Sequence, residues 1–145
     1  MMKNMTLQDI AQACNGSLCL PEGTWDRKRE ASCVVIDSRK IEPGGVFIAT
    51  KGEKADGHQF IPDVAAKGAM GAVCEKLPKE YDIPCILVQD SFKALKDIAE
   101  YYRKQLDIWV VGITGSVGKT STKEFIASVL SVKYKVLKTQ GNFNN

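Results

Sequence analysis

Residues 110–121 read Val-Val-Gly-Ile-Thr-Gly-Ser-Val-Gly-Lys-Thr-Ser. An apolar segment leads through glycines at every third position to a Lys-Thr pair that opens a helical pattern, which is the order that a phosphate-binding loop requires. Glycines let backbone N–H groups approach phosphate oxygens, and the helix that follows adds unsatisfied N–H donors. We therefore predict that Lys119 contacts the terminal phosphates of a nucleotide and that the Thr120 hydroxyl binds a Mg²⁺ ion.

The glycine spacing of this stretch departs from the strict Gly-x-x-x-x-Gly-Lys-Ser/Thr pattern. Counted back from Gly118, that pattern places glycine at residue 113, where this chain has Ile113. We interpret the stretch as a variant phosphate loop. Two alternatives are a plain glycine-rich turn with a surface lysine and a dinucleotide-binding loop, but the Gly-x-Gly-x-x-Gly spacing of the latter is absent.

The composition is typical of a globular protein, with 44% hydrophobic and 26% charged residues. Twenty basic and 17 acidic side chains give a net charge of +3, which is too small to indicate a nucleic-acid-binding surface. The five cysteines include no Cys-x-x-Cys pair, which favours reduced thiols over a disulfide framework or a zinc site. No signal peptide or membrane-spanning run is visible, so we expect a cytoplasmic protein with neither nucleic acid nor membrane as partner.

Strand-like and helical segments alternate along the chain, which predicts an α/β fold. The predicted strands are residues 33–36, 46–49, 69–74, 85–88, 108–113 and 135–138. The predicted helices are residues 7–14, 60–67, 92–102 and 120–131. Thr6 and Asp9 form a capping pattern at the first helix, residues 33–36 are expected to be a buried strand, and residues 92–102 are expected to bury one apolar face. That face comprises Phe92, Leu95, Ile98, Ala99 and Tyr102.

The order of these elements indicates two units, at about residues 1–106 and 107–145. The second has only 39 residues, with one strand feeding the phosphate loop and one helix after it. A phosphate-loop strand is normally central in a parallel sheet that is covered on both faces, and 39 residues are too few to supply that cover. We therefore predict that the chain is the N-terminal fragment of a larger ATP-using protein.

Four motifs resemble the Mur ligases of bacterial peptidoglycan synthesis. They are Asp37-Ser38-Arg39, Gly-Glu-Lys-Ala-Asp-Gly-His at 52–58, the loop at 112–120, and Gly-Asn-Phe-Asn-Asn at 141–145. The resemblance covers the whole chain in order, and the variant glycine spacing is the family's own form. It implies a small α/β domain at residues 1–106 that binds the UDP end of the substrate. Residues 107–145 would then begin an ATP-binding, parallel-sheet central domain.

The resemblance also implies the site residues. The uracil and diphosphate pocket would be lined by Ser38, Arg39, Glu53, Lys54 and Ala55. ATP would be bound by Gly112, Thr114, Gly115, Ser116, Val117, Gly118, Lys119, Thr120 and Ser121, with Asn142 and Asn145. Lys119 and Thr120 would act in catalysis, the latter through Mg²⁺. His58 is the only histidine, and without a second ligand nearby it is expected to be a hydrogen-bonded structural residue.

The amino-acid sequences of the phosphate loop and of residues 142–145 favour one family member over another. The favoured member joins D-alanyl-D-alanine to UDP-N-acetylmuramoyl-tripeptide, and the other adds the third peptide residue. The implied reaction phosphorylates the tripeptide carboxylate with ATP, and the dipeptide amine attacks the acyl phosphate. These residues alone are expected to be monomeric and inactive. Two alternatives remain, a stand-alone UDP-sugar-binding module and a phosphate-loop NTPase of signalling or transport.

Overall fold

The computed structural model describes residues 2–23, 25–26, 28–52 and 56–140. The chain divides into two compact units, Met1–Leu106 and Asp107–Asn145. The first unit holds all the strands found in the described residues, and the second holds the phosphate loop and one helix. Within the described residues, no helix combines the length and the apolar character needed to cross a bilayer.

A five-stranded, mostly parallel sheet forms the centre of the first unit. Its strands are β1 (Ser17–Cys19), β2 (Val34–Val35), β3 (Val46–Ile48), β4 (Gly71–Cys74) and β5 (Cys85–Leu87). They lie in the order β1-β5-β4-β3-β2. Neighbours from β2 to β5 are parallel, whereas β1 runs antiparallel to β5. The predicted α/β fold is confirmed.

Three helices accompany this sheet: α1 (Leu7–Ala13), α2 (Ile61–Ala66) and α3 (Ser91–Lys104). The capping pattern predicted at α1 is present. The Asp9 N–H donates to Thr6 Oγ1 at 3.2 Å, and the Thr6 N–H donates to Asp9 Oδ2 at 2.9 Å. Two N–H groups at the start of the chain's first helix are therefore satisfied by side chains.

Alternating residues of the strands belong to two separate apolar clusters, as the two-residue period of a strand requires. In β3, Val46 and Ile48 join the cluster that contains residues of α1 and α3, whereas Phe47 joins the cluster that contains Ile61 and Val64 of α2. Val46, Phe47 and Ile48 are at most 1% exposed. The sheet is therefore covered on both faces, and its inner strands β3 and β4 are buried as near-continuous apolar runs.

Two expectations for the first unit were wrong. Residues 33–36 were expected to be a buried strand, but only the two half-buried residues of β2 are paired, and Ile36 is 51% exposed. The reason is that β2 lies at the edge of the sheet and has a neighbour on one side only. The second expectation, for α3, was wrong in part: Ile98 is buried and Leu95 and Tyr102 pack against the core, but Phe92 and Ala99 are exposed. The buried residues of this helix are Ser91, Ala94 and Ile98.

In the second unit the predicted helix is confirmed as α4 (Lys119–Ser131), but the two predicted strands are wrong. Residues 107–140, the described part of this unit, contain no strand. Val110 is 62% exposed and Trp109 fully exposed. A strand needs a partner for its backbone groups, and this unit offers the apolar segment none to pair with in a ladder.

Candidate functional site

The first candidate site lies at one edge of the sheet. Because β2, β3 and β4 are parallel, their carboxyl ends meet at the same edge. Polar segments follow each strand there: Asp37 to Arg39 after β2, Thr50 and Lys51 after β3, and Glu75 and Lys76 after β4. Open α/β sheets bind their ligands outside the carboxyl ends of the strands. This edge is therefore where a ligand is expected.

Asp37 and Arg39 form a close ion pair at the end of β2. The Asp37 carboxylate caps the short 3-10 turn Ser38–Lys40 by accepting the Arg39 N–H at 3.1 Å. The guanidinium donates from Nε to Oδ1 and from Nη2 to Oδ2, each at 2.9 Å. The bidentate pair with Arg39 lowers the pKa of Asp37 to about 2. The Arg39 side chain nevertheless remains 86% exposed.

The loop after β3 is closed by backbone contacts. Lys51 and Asp56 form an isolated antiparallel bridge, and the Gly57 N–H donates to the Thr50 carbonyl at 2.9 Å. A Cβ atom at Gly57 would lie 2.7 Å from that carbonyl oxygen, so the close approach requires glycine. The predicted substrate residues Glu53, Lys54 and Ala55 belong to this loop and lie outside the described residues.

His58 connects this loop to the end of β4. Its backbone N–H donates to Asp56 Oδ1 at 3.0 Å, and its Nδ1 lies 2.6 Å from the same oxygen. The Glu75 N–H donates to His58 Nε2 at 2.9 Å. Because Nε2 accepts, the imidazole is neutral and its proton is on Nδ1, where it is donated to Asp56. The expectation that His58 is a hydrogen-bonded structural residue is confirmed.

Glu75 extends the network to α3. Its Oε1 accepts hydrogen bonds from the N–H and the Oγ of buried Ser91, both at 2.8 Å. These bonds, first of all the one from the Ser91 N–H, lower the pKa of Glu75. The ends of β3 and β4 and the start of α3 are thus held together by side chains. Sequence reasoning placed Ser91 at the start of the helix but missed its contact with Glu75, for which the only signal was the position of Glu75 directly after β4.

A shallow cleft of about 340 Å³ lies beside this network. Its polar lining residues are Lys51, Asp56, His58, Glu75, Lys76 and Lys79. Sequence reasoning assigned no role to its three lysines. Nearby, the Lys67 ammonium donates to the Ser38 carbonyl at 3.0 Å and so holds the turn that carries Ser38.

The phosphate loop is the second candidate site. Gly115 and Gly118 have φ values of 148° and 80°, which residues other than glycine rarely adopt. Gly118 is the N-cap of α4 and provides no side-chain cap for the first N–H groups of that helix. A Cβ atom at Gly112 or Gly118 would meet no atom within 4 Å, so the backbone there is open.

The predicted nucleotide-binding side chains lie together because they are contiguous. Thr114, Ser116, Val117, Thr120 and Ser121 are all exposed. The Lys119 ammonium crosses the loop and donates to the Gly115 carbonyl at 2.6 Å. Asn142 and Asn145 lie outside the described residues.

Metal-ligand candidates are few among the residues that the structure describes. Within the ranges that the structure describes, no group of three or more His, Cys, Asp or Glu side chains is arranged to hold a metal ion. The Thr120 hydroxyl remains the candidate predicted from the sequence. A hydroxyl oxygen is a suitable ligand for Mg²⁺, which usually takes its other ligands from phosphates and water.

Two family descriptions match this chain. "Mur ligase family, catalytic domain" matches residues 30–105, and "Mur ligase middle domain" matches residues 113–145. The first match alone spans more than half of the 145 residues. The chain belongs to the Mur ligase family. The family resemblance carried by the sequence motifs is thereby confirmed.

Individual Mur ligases are similar over nearly the whole chain. The UDP-N-acetylmuramoyl-tripeptide–D-alanyl-D-alanine ligase of Escherichia coli (strain K12) is 39% identical over 144 residues, which cover 99% of this chain and 30% of that ligase. A crystal structure of MurF from Acinetobacter baumannii has a TM-score of 0.82 and 35% identity, over 95% of this chain and 30% of that one. MurF from Thermotoga maritima in complex with ADP has a TM-score of 0.69 and 38% identity, over 75% and 25%. The chain spans about 30% of the length of the curated Mur ligases that it matches.

Proposed function

We propose that this chain supplies the UDP-substrate-binding unit and the phosphate loop of a ligase that joins D-alanyl-D-alanine to UDP-N-acetylmuramoyl-tripeptide. The observation that carries the proposal is the open phosphate loop at the start of α4. It occurs in a chain that is 39% identical to an Escherichia coli ligase named for this reaction. The domain roles follow: residues 1–106 bind the UDP end, and residues 107–145 begin the ATP-binding domain.

The residues of the second unit fit the phosphates of ATP. Lys119 provides a positive charge on the inner side of the loop, and the uncapped N–H groups of α4 provide donors at the positive end of a 13-residue helix. Thr120 would hold Mg²⁺ through its hydroxyl. Bound Mg-ATP supplies the phosphoryl group, and these residues bind and orient it. A related ligase, from Thermotoga maritima, was solved in complex with ADP.

The residues at the end of β2 fit the UDP end of the substrate. Ser38 offers a hydroxyl, and Arg39 offers a guanidinium that Asp37 holds in one orientation. Such planar donors suit the oxygen-bearing edge of uracil or a phosphate. Glu53, Lys54 and Ala55 complete this proposed pocket on the strength of the family motif alone.

The proposed reaction transfers the terminal phosphoryl group of ATP to the tripeptide carboxylate, which gives an acyl phosphate and ADP. The amine of D-alanyl-D-alanine then attacks the acyl carbon, and inorganic phosphate leaves as the amide forms. Lys119 stabilises negative charge on the phosphoryl group during transfer, which is where most catalysis of this step arises. We expect the 145 residues alone to be monomeric, cytoplasmic and inactive, since about 70% of the length of the relatives has no counterpart among them.

The test is Lys119→Ala in a protein that carries these residues together with the rest of the ligase. We expect amide formation to fall on the order of a hundredfold or more, because the charge on the phosphoryl group loses its partner. Lys135→Ala is the control, since it removes an exposed lysine of the same unit outside the loop. Near-normal turnover by Lys119→Ala would overturn the proposal. UDP binding without any Mg-ATP binding by the folded chain would favour the stand-alone UDP-sugar-binding module instead.

A further inference from the structure

Three lysines line the cleft beside His58: Lys51 after β3, and Lys76 and Lys79 after β4. We refer to Lys51, Lys76 and Lys79 as the lysine cleft. All three are exposed, and their ammonium groups form no hydrogen bond or ion pair with the residues that the structure describes. Three unpaired cations around one depression raise the local concentration of anions.

The carboxylates of the same cleft are already engaged. Asp56 accepts both hydrogen bonds from His58, and Glu75 accepts both from Ser91. With His58 neutral, the charged residues among the described lining of the cleft are three lysines and two carboxylates, which leaves one net positive charge. The lysines are therefore free to contact a ligand, while the carboxylates hold the walls of the cleft in place.

Unlike the three lysines, Arg39 is paired with a carboxylate. Its Nε and Nη2 both donate to Asp37, so its charge is offset by a neighbour. Within the described residues, the ammonium groups of the lysine cleft have no such partner. A diphosphate carries more negative charge than one paired guanidinium can balance, so it is expected to bind where unpaired cations gather.

The spacing of the strands suits a nucleoside diphosphate. Arg39 follows β2, and Lys76 follows β4, with β3 between them. Two strand spacings amount to roughly 10 Å. A uridine at the end of β2 can therefore direct its diphosphate toward the ends of β3 and β4.

We propose that the lysine cleft binds the diphosphate of the UDP-linked substrate, while the uridine lies at Ser38 and Arg39. This inference rests on the proposed function and deepens it. The hydrogen bond between the Glu75 N–H and His58 positions the turn that carries Lys76, so the cleft is formed before the ligand arrives.

The test is calorimetric titration of the 145-residue chain with UDP and, separately, with uridine. The double variant Lys76→Gln/Lys79→Gln should bind UDP at least about tenfold more weakly, because charge-assisted hydrogen bonds are lost. Its affinity for uridine should stay at the wild-type value. The matched control Lys3→Gln/Lys96→Gln removes the same charge from exposed lysines elsewhere in the first unit and should bind UDP as the wild type does. The single variants, with folding checked by circular dichroism, replace the double variant if it unfolds.

The outcomes separate this inference from the proposed function. Wild-type UDP affinity in the lysine variants, with binding lost in Arg39→Ala, would overturn the lysine cleft and leave the UDP-binding role intact. An equal loss of UDP affinity in the Lys3/Lys96 control would also overturn it, since net charge alone would then explain the effect. A folded wild-type chain that binds no UDP would contradict both.

Discussion

The two units of this chain use the ends of their helices differently. In the first unit, α1 begins with a Thr6–Asp9 capping box, and α3 begins with an Asp90 side chain that accepts the Lys93 N–H. In the second unit, α4 begins at Gly118, which has no side chain to offer. In α1 and α3 a side chain therefore satisfies a first-turn N–H group, whereas α4 has no such side-chain cap at the end where phosphate is proposed to bind.

The units differ in their apolar residues as well. Val46, Phe47 and Ile48 of the first unit are at most 1% exposed, whereas Trp109, Val117 and Leu137 of the second are at least 90% exposed. Local signals are enough to form the phosphate loop and its helix, because glycine conformations and helix starts depend on neighbours in sequence. A strand depends on partners that are distant in sequence, so residues 108–113 do not form one here.

The largest expected effect is a difference in folding stability between matched Phe→Ala substitutions, one in each unit. Phe47→Ala should lower the free energy of unfolding by about 3–5 kcal/mol, because Phe47 is 1% exposed in the centre of the sheet. Phe125→Ala, at a residue that is 74% exposed on α4, should change it by less than about 0.5 kcal/mol. Urea unfolding followed by circular dichroism measures both. Equal losses would show that the second unit has a core comparable to that of the first.

A second comparison concerns two glycines, one where an added Cβ atom would collide with nearby atoms and one where it would not. Gly57→Ala should cost about 1–3 kcal/mol of folding stability, because the new Cβ atom would lie within 3 Å of the Thr50 backbone. Gly112→Ala should leave the stability nearly unchanged, since nothing lies within 4 Å, but it should weaken ADP binding. Thermal unfolding and calorimetric titration check the two effects. A stability loss at residue 112 as large as at residue 57 would contradict the open loop.

A third prediction concerns the cap of α1. Thr6→Ala should cost about 1 kcal/mol, because the Asp9 N–H loses its side-chain acceptor and Asp9 loses the Thr6 hydroxyl. Thr6→Ser is the control, since it keeps the hydroxyl and should keep most of the stability. Equal destabilisation by both variants, measured in urea, would attribute the effect to the lost methyl group instead.

The smallest expected effect is a change in the pKa of Asp37. Pairing with Arg39 lowers the pKa of Asp37 to about 2, whereas pairing with Lys138 is the main cause that lowers the pKa of Glu124 in the second unit. Since the folded-state pKa of Asp37 lies below its unfolded value near 3.8, its contribution to stability is present above pH 4 and is lost as the pH falls toward 2. The carboxyl resonance of Asp37 in NMR spectra should titrate near 2 and move toward 3.8 in Arg39→Gln. A midpoint that Arg39→Gln leaves unchanged would show that the guanidinium is not the cause.

Part of each unit was predictable from the sequence because the signals for it are local. The Thr6–Asp9 box, the strand at residues 46–49 and the phosphate-loop helix follow from spacing and residue type. The edge position of β2 and the exposure of Phe92 were not predictable, since they depend on which strands and helices become neighbours. The Glu75 N–H donates to His58, and the Ser91 N–H donates to the Glu75 carboxylate. These bonds join residues 16 or more positions apart, and no sequence period indicates such contacts.

The measurement that tests the central claim most directly is a pair of NMR titrations of the ¹⁵N-labelled chain, one with UDP and one with Mg-ADP. We expect UDP to shift amide resonances at residues 38–39, 51 and 75–79, and Mg-ADP to shift those at residues 112–121. Each ligand should leave the other unit's resonances in place. Both ligands perturbing one common set of amides, or neither perturbing any amide of the folded chain, would contradict the assignment of two separate sites.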